Sequence, residues 1–126
     1  MKQLEDNLQA ACVEWFRFQY PNITIFSIPN GGSRNKIEAA KLKRTGVLAG
    51  VADLFVMRHK EFPDKTFPDR YVHFWHGLFI EMKVGKNKQT DAQIYFAVNA
   101  MAHSYQYRVC RSIEEFMNVV NEYLND

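Results

Sequence analysis

The feature that most constrains this chain is an apolar run with charge inside it, Leu78-Phe79-Ile80-Glu81-Met82-Lys83-Val84. In a strand, residues two apart share a face, so Glu81 and Lys83 project together while Ile80 and Met82 point the other way into apolar surroundings. A carboxylate and an ammonium at the end of such a strand are costly unless they are paired or used. One reading is a cross-strand ion pair at the surface, worth a fraction of a kcal/mol. The other is a site.

A second run favours the site. Asp53-Leu54-Phe55-Val56-Met57 follows Gly46-Val47-Leu48-Ala49-Gly50-Val51-Ala52, whose flanking glycines let the backbone approach something closely. If the two strands pair, Asp53 and Glu81 converge. Two facing carboxylates repel unless a cation lies between them, and hard oxygen donors suit Mg²⁺ or Mn²⁺. Lys83 could then hold or deprotonate a water attacking a phosphodiester. The plain alternative is that Asp53 caps a turn.

The rest of the pattern supplies a frame for these strands. Leu4, Leu8, Ala11, Trp15 and Gln19 form a helical stripe with Cys12 and Phe16 beside it, ended by Pro21. Ile23 to Ile28 reads as a strand, Pro29-Asn30-Gly31-Gly32 as a turn, and Asn35 to Thr45 as a basic helix closed by Gly46. Arg58 to Gly77 reads as a long hairpin connection, with Tyr71 to Trp75 extending the second strand. Thr90 opens a helix that buries Ile94, Ala97, Val98 and Met101; Tyr107 to Cys110 is a strand, and Ser112 caps a last helix. That order predicts a single α/β domain over residues 1–126, a mixed sheet flanked by helices.

Net charge is only +2, but the bases are gathered: Arg34, Lys36, Lys41, Lys43 and Arg44 in one stretch, Lys83, Lys86 and Lys88 in another. Such runs are either solvated faces or contacts to a phosphate backbone. No run approaches the roughly 20 apolar residues a bilayer requires. The acidic start of the chain lacks the apolar core of a signal peptide, and two cysteines are too few for a disulfide scaffold, so the expected setting is cytoplasmic.

Taken in order, these motifs resemble the VRR-NUC domain of the PD-(D/E)xK nuclease superfamily. The matching residues are Glu5-x-x-x-Gln9 ahead of Trp15, then Pro29-Asn30-Gly31-Gly32 with Arg34, and Gly46-x-x-x-Gly50-Val51-x-Asp53-Leu54. Leu78-Phe79-Ile80-Glu81-x-Lys83 and Gln93 complete the series. It covers residues from about 5 to 111, the short stand-alone form often encoded by phages, and implies a restriction-endonuclease-like core.

The resemblance implies metal ligands at Asp53 and Glu81, helped by the backbone carbonyl of Met82, with Mg²⁺ or Mn²⁺ as cofactor. Lys83 would be the catalytic lysine. Glu5 would reach the metal directly or through water, and Gln93 would orient the lysine or the scissile phosphate. Glu5 is also an ordinary first-turn acid, and Gln93 also completes a Thr90-x-x-Gln93 capping box. The family usually has Pro before the aspartate, where this chain has Ala52; literal Pro-Asp pairs stand at Pro63-Asp64 and Pro68-Asp69. Asp53 is preferred because a clean apolar strand follows it, whereas the other two sit in a proline-broken echo.

Asn30, Gly31, Gly32, Arg34, Lys36, Lys41, Lys43, Arg44, Lys86 and Lys88 are the expected DNA contacts. His73 and His76 fall on opposite strand faces and make a poor zinc site, and Cys12 reads as core. The implied function is metal-dependent cleavage of branched DNA such as four-way junctions by a homodimer, in a bacterial or phage-infected cell. A flap, end-processing or restriction-like repair nuclease is the alternative within enzymes. A catalytically silent nucleic-acid-binding module is the alternative outside them.

Overall fold

In the computed structural model the described residues are 2–29, 35–63, 66 and 71–125; the side chains of 62, 63 and 71–73 are not described. Ten elements follow one another: α1 (Lys2–Gln19), β1 (Thr24–Ser27), α2 (Lys36–Arg44), β2 (Leu54–Met57), β3 (Lys60–Pro63), β4 (Tyr71–Trp75), β5 (Leu78–Met82), α3 (Asp91–Ala102), β6 (Gln106–Cys110) and α4 (Ile113–Leu124). The main sheet runs β1-β2-β5-β6. β1, β2 and β5 pair antiparallel, and β6 joins parallel to β5 after the α3 crossover. The expected mixed α/β architecture is what forms.

Strand alternation divides the sheet into two unlike faces. Leu54, Val56, Leu78, Ile80 and Met82 face α1 and α4, where they meet Cys12, Phe16, Phe116 and Val120 in a fully buried core. The opposite face carries Phe55 and Phe79, stacked with ring centroids 4.6 Å apart, and Tyr107, all beneath α3. Asp53, Glu81 and Lys83 fall on this second face by the same alternation.

The sequence places most elements to within a residue or two, and three expectations need correction. On α1 the buried positions are Cys12 and Phe16, with Leu8 and Trp15 partly covered, while Leu4, Ala11 and Gln19 are exposed. On α3 it is Ala97 and Ala100 that pack down; Ile94, Val98 and Met101 stay 47%, 59% and 48% exposed. Two small residues bring that helix close to the sheet, and a neighbouring stripe of larger ones is left outward. Tyr71 to Trp75 does not extend β5; it pairs with β3 in a separate two-stranded hairpin. That hairpin is anchored at its base, where Lys60 Nζ donates to the carbonyls of Glu122, Tyr123 and Asn125 at the end of α4. The turn at 30–32 and Pro68-Asp69 lie outside the described residues.

The glycine frame has a clear purpose. Gly46 and Gly50 both have positive φ, +115° and +91°. At Gly50 the first turn of α3 comes so near that a Cβ would lie 2.4 Å from the carbonyl oxygen of Ala92, whereas a Cβ on Gly46 would meet nothing. Gly50→Ala is therefore expected to cost at least twice as much as Gly46→Ala, whose strain alone is about 1–3 kcal/mol. Urea unfolding of the two variants measures the difference, and equal costs would remove the close packing of α3 from the account.

Candidate active site

The site forms where β2 and β5 end side by side. Their register pairs Leu54 with Ile80, so one residue further on Asp53 stands opposite Glu81. Asp53 is held at both its backbone and its side chain. Its carbonyl accepts from the Ile28 N–H at 2.8 Å, and Oδ2 accepts from the Met82 N–H at 2.7 Å. The contact seen at Met82 is thus through its N–H. Ala52, standing where the family has proline, is completely buried.

Glu81 and Lys83 are the buried charged residues among the described positions, 2% and 7% exposed. They share a face as the alternation requires, with Lys83 Nζ 3.9 Å from Glu81 Oε2. Gln93 Nε2 donates to the same Oε2 at 3.0 Å. At the other end of that amide, Gln93 Oε1 accepts from the Thr90 N–H, and the Thr90 hydroxyl caps the Gln93 N–H. The capping box expected at Thr90 and Gln93 forms, and the Gln93 side chain contacts the Glu81 carboxylate rather than Lys83. Glu81 Oε1 has no hydrogen-bond partner although it is buried. An orphaned buried carboxylate oxygen beside a second carboxylate is costly unless a proton or a cation occupies the gap.

The electrostatics agree. Burial raises the Glu81 carboxyl, the charge of Asp53 raises it further, and Lys83 opposes both, leaving it pushed up to about 8. Burial also raises Asp53, against the lowering effect of the Met82 N–H. Glu5 acts on both through its charge and lines the same cleft as Asp53. Among the described residues no three of Asp, Glu, His and Cys gather tightly enough to hold a metal ion alone, so the acidic centre is a pair with Glu5 on the adjoining wall.

The cleft has a volume of about 680 Å³ and lies between α1, the end of β1 and the segment after α2, with Leu42 and Val47 on its far side. Lys36, Lys41, Lys43 and Arg44 are exposed on α2, which buries no residue, and Lys86 and Lys88 are exposed on the loop after β5. Asn30, Gly31, Gly32, Arg34, Asp64 and Asp69 lie outside the described residues. Gln9, noted in the sequence only as the end of the Glu5-x-x-x-Gln9 motif and given no role there, lines the cleft one turn after Glu5, and Tyr107 was not singled out for the site at all. Tyr107 gives no local signal; it comes beside Glu81 only through the parallel β5–β6 pairing, accepts from Gln89, and is pushed up to about 12 by burial and by the charge of Glu81.

A four-stranded mixed sheet between helices, with an Asp-Glu-Lys group at one end whose Glu81 and Lys83 are buried, defines a restriction-endonuclease-like domain. A solved structure described as a VRR_NUC domain protein superposes on this chain with a TM-score of 0.71 at 27% identity, covering 95% of this chain and 87% of the other. The chain has the fold of that VRR-NUC domain protein, and the likeness supports a nuclease-domain family. No family model matches its sequence, and no curated protein matches it.

The raised Glu81 carboxyl gives stability a definite pH dependence. A carboxyl whose folded pKa lies above its unfolded value binds more protons folded than unfolded, so stability falls as pH rises between the two. The metal-free protein is expected to melt at progressively lower temperature from pH 4.5 to pH 8, and Glu81→Gln, which keeps the shape without the charge, should flatten that slope. Thermal melts at half-unit pH steps check this, and parallel slopes for the two proteins would contradict it.

Proposed function

We propose that this chain is a metal-dependent DNA endonuclease that hydrolyses phosphodiester bonds. The single observation that carries the proposal is the Asp53–Glu81 pair, Asp53 half-buried on an open cleft and Glu81 buried behind it with one carboxylate oxygen unpartnered and Lys83 beside it. A protein that only bound nucleic acid would gain nothing from two acids facing phosphate.

The donor set fits a hard divalent cation, Mg²⁺ or Mn²⁺, held by Asp53 and Glu81, by the Met82 carbonyl, and by Glu5 directly or through water. When bound, such an ion offsets charge on the phosphate oxygens and makes a bound water more acidic. The chain's own groups do the rest. Met82 and Ile28 fix Asp53, while Gln93 and Lys83 hold Glu81 by one oxygen, and the other has no hydrogen-bond partner. Lys83, buried and close to the carboxylates, positions the attacking water and stabilises the charge that develops on the phosphate. The exposed bases of α2, with Arg34, Lys86 and Lys88, and the Asn30-Gly31-Gly32 segment, contact the DNA backbone without reading sequence.

Branched DNA is the proposed substrate, cut by a homodimer inside the cell. The outward stripe of α3 supports the dimer: Ile94, Tyr95, Val98 and Met101 are 47% to 73% exposed on a helix whose single charged residue is Asp91. An apolar stripe of this kind marks an interface, and a two-fold axis would give two sites for two strands. Among the described residues no helix is long and apolar enough to cross a membrane.

With Mg²⁺ and a panel of duplex, flap, splayed-arm and four-way DNA, the protein is expected to cut the branched forms. Asp53→Asn, Glu81→Gln and Lys83→Ala should each lose at least about 10²–10³ in rate while still binding DNA. Asp64→Asn and Asp69→Asn should remain active. Near-normal turnover by Lys83→Ala would sink the assignment, and binding without cleavage by the unaltered protein would favour the silent module. Light scattering should give twice the 14.8 kDa chain mass, and Val98→Glu should reduce it to one. A monomer before the substitution would remove the dimer and leave a flap or repair nuclease.

A further inference from the structure

The cleft beside Asp53 does not stop at the site. It continues as a second hollow of about 360 Å³ along the same flank of α1, and Asp6, Gln9 and Ser27 line both parts. Arg17 stands at the far end of the second hollow. The α1 residues concerned, Asp6, Gln9, Val13 and Arg17, recur every three or four positions and so form one stripe, distinct from the Cys12 and Phe16 stripe that enters the core. α1 therefore has two jobs, one face for packing and one for the groove.

The chemistry of that stripe is graded. Glu5 and Asp6 make the end nearest the site unfavourable for a phosphate other than one held through a cation. Gln9 offers an amide that both donates and accepts, suited to a sugar or a base edge. Arg17 offers a planar fork matched to phosphate oxygens. One of its nitrogens, Nη2, donates to the Ile25 carbonyl at 3.2 Å, which fixes the guanidinium at the edge of β1. A fixed guanidinium loses less freedom on binding than a mobile one. The bases of α2 lie beyond the opposite wall of the cleft, so the two sets of cations flank the acidic centre.

We infer that this groove is the path of one DNA strand leaving the site, with Gln9 on the nucleotide next to the cleaved bond and Arg17 on a single backbone phosphate further along. Arg17 follows Glu5 by twelve residues, about 18 Å of helix at 1.5 Å per residue. For a strand of B-form duplex whose axis runs along α1, at about 3.4 Å of axis per phosphate, that places the contact roughly five phosphates from the cut, on one side only. This inference rests on the nuclease reading of the site.

The test is cleavage of a four-way DNA in which single phosphates are replaced, one at a time, by uncharged methylphosphonates over eight positions on each side of the cut. With the unaltered protein, one or two adjacent replacements about five positions away on one side should slow cleavage about tenfold, the loss expected for one charge-assisted contact. Arg17→Ala should slow cleavage of unmodified DNA by a similar factor and become insensitive to those same replacements. Arg17→Lys, which retains the charge, guards against simple loss of the Ile25 bond and should keep part of the sensitivity. A flat scan, or losses that multiply in Arg17→Ala, overturns the groove while leaving the nuclease standing. Failure of the unaltered protein to cut any DNA with Mg²⁺ or Mn²⁺ overturns both.

Discussion

The hydrogen bond from the Met82 N–H to Asp53 Oδ2, 2.7 Å long, is the interaction on which the rest of the site depends. It joins β2 to β5 at the position where their backbone ladder gives out, and the Asp53 carbonyl joins β1 by accepting from Ile28. One residue thus ties three strands at the sheet's end. It also fixes which oxygen of Asp53 is committed to structure and which is left for chemistry. The Met82 N–H favours the ionised form of this carboxyl, which accepts the stronger hydrogen bond, while burial opposes it.

That opposition sets the charge problem that defines the site. Burial raises both carboxyls, the charge of Asp53 raises Glu81 further and that of Glu5 raises both, while Lys83 opposes the rise at each. Glu81, pushed up to about 8, is the acid that carries a proton near neutral pH, and its Oε1 has no other hydrogen-bond partner. A divalent cation would replace that proton and satisfy the same lone pairs. The cost of burying two acids is then tolerated for the sake of the ion they select, as a hydrophobic pair in their place would fold more easily. The close packing of the first turn of α3 against Gly50 belongs to the same arrangement, since that turn carries Gln93, which bonds one Glu81 oxygen while the other has no partner.

Much of this was legible in the sequence, and for identifiable reasons. Strand alternation alone places Glu81 and Lys83 together, and of the two glycines that suggest a close approach Gly50 makes one, against Ala92, while Gly46 makes none. Asn35, Thr90 and Ser112 marked three helix starts because capping is a local matter. What was illegible depended on distant pairing. α3 is apolar around most of its circumference, so periodicity could not tell the Ala97–Ala100 face from the Ile94–Val98–Met101 face. Tyr71 to Trp75 had two possible partners, and only the fold selects β3 over an extension of β5. Tyr107 reaches the acidic pair through a parallel crossover that no local pattern reveals.

The most direct test of the central claim is proton release on cation binding. Calorimetric titration of the protein with Mn²⁺ at pH 7, repeated in buffers of different ionisation enthalpy, counts the protons displaced per ion bound. The account expects close to one proton for the unaltered protein and none for Glu81→Gln. Binding at the same affinity with no proton released, or release unchanged in Glu81→Gln, would contradict it.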